Sequence, residues 1–169
     1  MNTLYEKCDS LNSPIECFMD YGSRCSFPIK PHWHYFMEII YIFEGHAEVR
    51  SGSTVISAGR GDMALFHPKA VHSISSDSPD DLRYGVIKLD INCINMTADY
   101  APKFRSIFSF AEQRGMSIYF DNAQTEAIEA SRIFENCIKE MQVRRYGYND
   151  IIRSDISCLL VGVLRLWQG

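Results

Sequence analysis

The chain has 169 residues, a formal net charge of −4, and ordinary globular proportions of apolar (46%) and charged (22%) residues. This length predicts one compact unit with a sizeable core and room for an appendage. No basic cluster exceeds the pair Arg144 and Arg145, so the composition argues against nucleic-acid binding by this chain alone.

The N-terminus carries no secretory signal pattern, because Lys7, Asp9 and Glu16 interrupt it early. No apolar run approaches the length needed to cross a bilayer. The six cysteines are scattered and form no C-x-x-C pair, which favours free thiols in a reducing compartment over disulfides or metal binding. These features predict a cytoplasmic protein with no membrane partner.

The first predicted elements are β-strands. Apolar and polar residues alternate over 15–27, and residues 31–45 read PHWHYFMEIIYIFEG, a run of strand formers that ends at a Glu-Gly turn signal. Side chains alternate between the two faces of a strand. Two imidazoles and a carboxylate on an otherwise apolar face predict a pocket. If the second run is one strand, its shared face carries His32, His34, Phe36, Glu38, Ile40 and Ile42.

Shorter strands follow, separated by glycine and proline turns. Residues 46–50 and 54–57 predict a hairpin, and further strands are expected at 63–66, 71–75 and 84–89. The spacing H-x-H-x-x-x-E-x-x-x-x-x-x-G, followed by Gly61-Asp62, Pro68 and His72, resembles the two sequence signatures of the cupin barrel. The resemblance implies a double-stranded β-helix, or jelly-roll barrel, inside which His32, His34, Glu38 and His72 meet.

Beyond Asn95 the spacing becomes helical. Residues 101–112, 124–145 and 151–167 predict three helices, so the fold class is mainly β with C-terminal helices. The last helix is apolar almost all the way round, which predicts one face on the barrel or the preceding helix and another on a partner subunit. The stripe expected at this homodimer interface consists of Ile152, Ile156, Leu160, Val163, Leu164 and Trp167.

This order of elements resembles the N-terminal half of AraC-type transcription regulators. The residues that carry the resemblance are 31–45, Gly61 to His72, Glu140 with Tyr148, and Leu159 to Arg165. It implies an effector-binding cupin barrel over 1–98 and a helical dimerisation segment over 99–169. In that family a separate domain of two helix-turn-helix units binds DNA, and nothing in this sequence corresponds to it. The expected function is effector sensing and dimerisation in a bacterial transcription regulator, with DNA contacted only through the missing domain.

The barrel interior is the predicted effector site. The expected ligand is a small molecule such as a sugar, which would use aromatic faces and hydrogen-bonding groups. Imidazole and carboxylate also suit a divalent transition metal. Sensor barrels that this one resembles generally need no metal, so no cofactor is expected, with metal at His32, His34, Glu38 and His72 as the alternative. The predicted ligand-binding residues are His32, His34, Phe36, Glu38, Phe66, His72 and Tyr84.

A catalytic interpretation also exists. Cupin dioxygenases and isomerases use the same four metal ligands with open coordination positions for substrate. The sequence shows no Ser-His-Asp or Cys-His constellation and no glycine-rich phosphate loop. A single-domain cupin enzyme does not need a helical hairpin that is apolar all round, whereas a dimerising regulator does. The prediction is therefore a regulator rather than an enzyme.

Overall fold

The computed structural model describes residues 4–94 and 103–169, and within these ranges it contains nine β-strands and four α-helices. The strands are β1 Ile15–Tyr21, β2 Ile29–His32, β3 Met37–Glu44, β4 His46–Ser51, β5 Thr54–Gly59, β6 Met63–Phe66, β7 His72–Ser75, β8 Arg83–Leu89 and β9 Tyr119–Phe120. The helices are α1 Phe104–Gln113, α2 Asn122–Ala127, α3 Ala130–Val143 and α4 Tyr148–Gln168.

The strands form two antiparallel sheets. The larger has the order β1-β8-β3-β6-β9, and the smaller has the order β2-β7-β4-β5. Ile40 and Val86 of the larger sheet share one buried cluster with Val49 and Ile74 of the smaller. The two sheets therefore enclose a common interior, as a barrel does.

The helices cover the outer face of the larger sheet. In β3, Ile40 belongs to the barrel cluster, whereas its neighbours Ile39 and Tyr41 belong to a second cluster with residues of α3 and α4. Every β3 residue except Glu44 is buried, because both faces of the strand are covered. Gly85 in β8 allows α3 to approach, since a Cβ there would lie 2.9 Å from a ring carbon of Phe134.

Two predicted elements differ in detail, and one predicted boundary lies outside the described residues. The run 31–45 is not one strand: β2 ends at His32 in the smaller sheet, and β3 starts at Met37 in the larger. The helix expected at 124–145 is two, because Glu129 adopts a left-handed backbone (φ 55°) between α2 and α3. The predicted boundary between residues 98 and 99 lies outside the described residues, as does the start of the helix expected from 101.

Most of the α4 residues predicted at the dimer interface are instead buried within their own subunit. Ile152, Ile156, Leu160 and Val163 are completely buried in the cluster beneath the larger sheet, so they are not available to a partner. The sequence pattern identified an apolar face but could not distinguish burial within the chain from burial between chains. Of the remaining predicted residues, Leu164 and Trp167 are half-buried.

Candidate functional site

Three histidines and one glutamate come together where the two sheets meet. His32 ends β2 and lies directly opposite His72, the first residue of β7. His34 lies in the bend that crosses from the smaller to the larger sheet, and Glu38 is the second residue of β3. One ligand atom from each side chain lies within 4.8 Å of all the others.

The backbone fixes the orientation of all three rings. The Nδ1 atoms of His32, His34 and His72 each lie 2.9 Å from a backbone carbonyl oxygen, of Lys30, Phe36 and Ala70 respectively. A carbonyl only accepts hydrogen bonds, so each Nδ1 carries the proton and donates it. The Nε2 atom of each ring is therefore the nitrogen that remains available to interact with other groups of the site.

The Nε2 atoms are directed at carboxylates. His34 Nε2 lies 2.9 Å from Glu38 Oε2, and His72 Nε2 lies 3.4 Å from the same oxygen. Since a neutral ring protonated at Nδ1 offers only a lone pair at Nε2, the His34 contact requires a second proton or another cation. His72 Nε2 is buried and has no hydrogen-bond partner among the described residues. The cluster thus has the electrostatic character of a cation-binding or proton-binding site.

Two further charged residues join the cluster. Lys88 Nζ lies 3.5 Å from Glu38 Oε2 and 3.1 Å from Glu6 Oε2, while His32 Nε2 lies 3.1 Å from Glu6 Oε2. The N-terminal segment holds Glu6 in this position, because its backbone forms hydrogen bonds with both the N–H and the carbonyl oxygen of Trp33. The barrel entrance therefore carries a connected network of ion pairs.

The pKa values of these groups follow from competing causes. Burial would raise the pKa of Glu38, but His34, His72 and the Lys88 ammonium together hold it well below its usual range. The hydrogen bond from His32 outweighs burial and, with Lys88, lowers the pKa of Glu6 to about 2. For His32, burial lowers the pKa, yet the bonds to Glu6 and Lys30 leave it raised. Both carboxylates are thus charged at neutral pH.

A cavity of about 460 Å³ opens beside this cluster. Its wall combines the polar side chains of His32, Glu38 and Lys88 with the apolar Val86 and the ring of Tyr84. The Tyr84 hydroxyl donates to Asp20 Oδ2 at 3.0 Å, and burial followed by the Asp20 charge raises the pKa of this phenol. The site can accordingly accept a small molecule that has both polar and apolar surface.

The two predicted phenylalanines lie in different places. Phe66 stacks on the His72 ring, with 4.2 Å between centroids and 10° between planes, so it supports the cluster from inside the barrel. Phe36 is also buried, but it lines a separate cavity beside His67 and Phe108. The bend between β2 and β3 interrupts the alternation of side chains, and this separates Phe36 from the histidines.

The sequence reasoning missed Lys88 and Glu6. A signal existed for Lys88, because Tyr84, Val86 and Lys88 share one face of β8 by simple alternation, and this face lines the cavity. No local signal existed for Glu6, which is 82 positions away from its partner Lys88 and 26 from His32. Such pairs are known only once the chain has folded.

The four-residue cluster fits a divalent transition metal by its donors. Three imidazole Nε2 atoms and a carboxylate are a set that Zn, Fe, Ni or Mn accept, and the Nδ1 bonds to carbonyls are the support that metal-binding histidines have. Lys88 opposes this fit, because its ammonium already lies beside Glu38 and would repel a second cation. The observed groups therefore fit two different kinds of occupant. One is a divalent metal held by the four-residue cluster, and the other is a polar small molecule that contacts Glu38 and Lys88.

The family of AraC-like ligand-binding domains matches residues 17–154. No curated protein matches the chain. Among solved structures, a protein assigned to ethanolamine utilisation (protein Q) from Salmonella typhimurium LT2 is 18% identical, with a TM-score of 0.36 over 46% of this chain and 58% of that one. The chain thus spans little more than half of that structure's length.

Two other solved structures are similar at the same level. A Cupin 2 conserved barrel domain protein from Salinispora arenicola CNS-205 is 18% identical, with a TM-score of 0.36 over 52% of this chain and 72% of that one. The DMSP lyase DddQ from Ruegeria pomeroyi DSS-3 is 20% identical, with a TM-score of 0.37 over 46% and 39%. The two antiparallel sheets and the C-terminal helices confirm the predicted fold class, mainly β with C-terminal helices. None of the described helices is long and apolar enough to span a membrane.

Proposed function

We propose that this chain, which belongs to the family of AraC-like ligand-binding domains, is the sensing module of a transcription regulator and binds a small polar effector in its barrel without turning it over. The observation that carries the proposal is the cavity of about 460 Å³ whose wall combines Glu38, Lys88 and His32 with Tyr84 and Val86. A few convergent polar groups in a partly apolar cavity are typical of small-molecule sites.

The lining favours an effector rich in hydroxyl groups, such as a sugar or sugar acid. The Lys88 ammonium donates hydrogen bonds, Glu38 accepts them, and Nε2 of His32, the one cluster histidine on the cavity wall, does either according to its protonation. The Tyr84 ring offers a flat apolar surface for the C–H face of a sugar ring.

A panel of monosaccharides and sugar acids tests this proposal by thermal shift and by calorimetry. An effector present at 100 times its dissociation constant should stabilise the domain by about 2.7 kcal/mol. Tyr84→Leu, which removes the flat ring, and Lys88→Gln, which removes the ammonium, should each weaken binding, whereas Tyr41→Leu, on the opposite face of the larger sheet, should leave it unchanged. A panel ligand that binds all four proteins equally would place the effector site outside the barrel.

We also propose that the domain needs no resident metal, because Lys88 already provides the positive charge that Glu38 requires. Metal analysis of the protein purified without chelators is the test. Less than about one tenth of an equivalent, with the same effector affinity before and after dialysis against EDTA, is expected. One equivalent that survives dialysis would contradict the proposal.

The second candidate function is a metal-dependent cupin enzyme, dioxygenase or isomerase. It is favoured by the three Nε2 atoms and the Glu38 carboxylate that meet within 4.8 Å. A metal there would act as a Lewis acid, while Lys88 and Tyr84 would orient the substrate. The test is an assay of the metal-loaded protein for turnover of a panel sugar or of an oxygen-dependent substrate. Turnover that His72→Phe abolishes would establish this enzymatic function and would contradict the proposal that the domain binds its effector without converting it.

The dimer is proposed through the outward side of α4. Ile151 is 42% exposed, Cys158 lies on the same side two turns later, and Val143 and Tyr146 are exposed just before the helix begins. An apolar patch of this kind is suited to a twofold interface. Sedimentation at micromolar concentration should give a dimer that Ile151→Glu dissociates. The matched change Val55→Glu, at the exposed edge strand β5, should not affect it.

A further inference from the structure

A second cavity of about 440 Å³ lies outside the barrel, between the loop after β6 and helix α1. Its wall includes Phe36, His67, Lys69, Arg105, Phe108 and Glu112. The barrel cavity shares none of these residues. The two cavities are therefore separate places in the molecule, with separate sets of side chains.

His67 is the unusual member of this wall. Only 5% of the residue is exposed, and neither ring nitrogen has a hydrogen-bond partner among residues 4–94 and 103–169. Burial without a counter-charge lowers its pKa to about 4, so the ring is neutral and offers one donor and one acceptor. Buried polar groups are nearly always satisfied, and an unsatisfied one indicates a missing partner such as a ligand or a water molecule.

Two cations on the cavity wall, Arg105 and Lys69, have no ion-pair partner among the described residues and so remain available to an anionic group. Arg105 forms no ion pair within the described part of the chain, and its nearest polar contact is Asn92 Oδ1 at 3.4 Å. The Lys69 ammonium likewise lies only over the ring of Tyr35, 5.5 Å from its centroid. Asp90 also lines the cavity, and its Oδ1 accepts hydrogen bonds from the backbone N–H and the side chain of Asn92. The wall thus carries two cations and two carboxylates, those of Asp90 and Glu112, and neither cation forms an ion pair with either acid in the described part of the chain.

The remaining surface is aromatic. Phe36 is 1% exposed and Phe108 is also 1% exposed, so both rings belong to the rigid interior and present a fixed apolar wall. The His67 and Phe108 rings are 6.5 Å apart by their centroids. A flat apolar group that enters between α1 and the loop would contact these rings while its polar end remained near the two cations.

We propose that this cavity is a second binding site, for a small organic carboxylate with an aromatic or similarly flat apolar body. Arg105 and Lys69 hold the carboxylate, Phe36 and Phe108 contact the body, and His67 forms a hydrogen bond with a polar atom of the ligand. Occupancy is communicated to α4, because the Phe108 ring packs against the Trp167 ring with 5.2 Å between centroids. The site is independent of what the barrel binds.

Benzoate is the probe for the test, added to the whole ¹⁵N-labelled chain and followed by NMR of the five histidine rings and two indoles. The expected result is a saturable shift of the His67 ring and the Trp167 indole, with a dissociation constant on the order of 1 mM for so small a ligand. His32, in the barrel, should not shift. Arg105→Gln should weaken binding at least about tenfold, since it removes a charge-assisted hydrogen bond.

The matched control is Arg114→Gln, which removes an arginine one residue beyond α1 that lies over Phe110 and does not line the cavity. It should bind benzoate like the unmodified chain. Equal weakening in both arginine variants would mean general attraction of an anion and would overturn the proposal. So would shifts centred on His32 and His72, no saturation, or a soaked crystal in which His67 contacts only an ordered water.

Discussion

The larger sheet presents two faces of different chemistry, and β3 contributes to both. The outer face, carrying Ile39 and Tyr41, is covered by α3 and α4, and its buried residues form one apolar cluster with these helices. The inner face carries Ile40 and Ile42 at one end and Glu38 at the other. One strand therefore anchors the helices with alternate residues and supplies a site residue with the others.

The difference teaches how this fold separates stability from function. The buried residues of the outer face pack into one apolar cluster with the helices, so their burial contributes directly to the free energy of unfolding. On the inner face, Glu38 is buried with Lys88 and three histidines. Removing such groups from water costs free energy, and only their interactions with one another offset that cost. Changes to the outer face should therefore act on stability alone, whereas changes to the inner face should act on binding as well.

Leu160→Ala should have the largest effect on stability. Leu160 of α4 is completely buried in the apolar cluster that α3 and α4 share with the outer face of the sheet, and removing such a side chain leaves a cavity that costs about 3–4 kcal/mol. Urea unfolding at pH 7 would measure this loss. Val55→Ala, at a half-exposed position of β5, should change the midpoint little, and effector affinity of the folded Leu160→Ala protein should equal that of the unmodified chain.

Much of this outer layer was predictable from sequence, because apolar spacing shows which residues of a helix are buried. The pattern identified Ile152, Ile156 and Leu160 as one stripe, but it assigned that stripe to a partner subunit. The barrel histidines and Glu38 were likewise recognisable from their spacing. The break at Glu129 and the bend after His32 were not, since each depends on how the helices and sheets pack rather than on local propensity.

The partners of the site were less predictable than its ligands. Lys88 carries a periodicity signal within β8, whereas Glu6 reaches the barrel through a segment that pairs with Trp33. Likewise, no sequence pattern around His67 indicates that its ring will be buried without a hydrogen-bond partner among the described residues. Long-range electrostatic contacts have no local pattern, so only the folded chain reveals which charges meet.

Glu38→Gln should cost about 2–3 kcal/mol at pH 7, because it removes the buried charge shared by His34, His72 and Lys88 and leaves Lys88 with Glu6 alone. The loss should be measurable by urea unfolding, and effector affinity should fall in the same variant. Glu44→Gln removes an exposed partner of Arg83 at the other end of β3 and is the matched control, with no measurable change expected in either quantity. A Glu38→Gln protein as stable as the unmodified chain would mean that the inner-face ion pairs contribute nothing net.

Glu6→Gln should give the smallest effect and the most informative pH dependence. The pKa of Glu6 is about 2 in the folded chain against an ordinary 4.5, so its stabilising contribution exists above pH 4.5 and is lost as the pH falls towards 2. His32 has a raised pKa, so its contribution is complete below its ordinary 6.5 and is lost as the pH rises through the folded value. The difference in unfolding free energy between the two proteins should therefore peak between pH 4.5 and 6.5.

The size of that peak follows from exposure. Because 46% of the Glu6 side chain is exposed, solvent screens its ion pairs, and the expected maximum is about 1 kcal/mol. Lys88 remains charged throughout this range, so part of the difference should persist after His32 has lost its proton. Urea unfolding at pH 3, at pH 5.5 and above the folded pKa of His32, located by NMR titration of its ring, would follow the three regimes. A difference that stayed constant as His32 titrates would assign the whole interaction to Lys88 and would exclude His32 as a charged partner of Glu6.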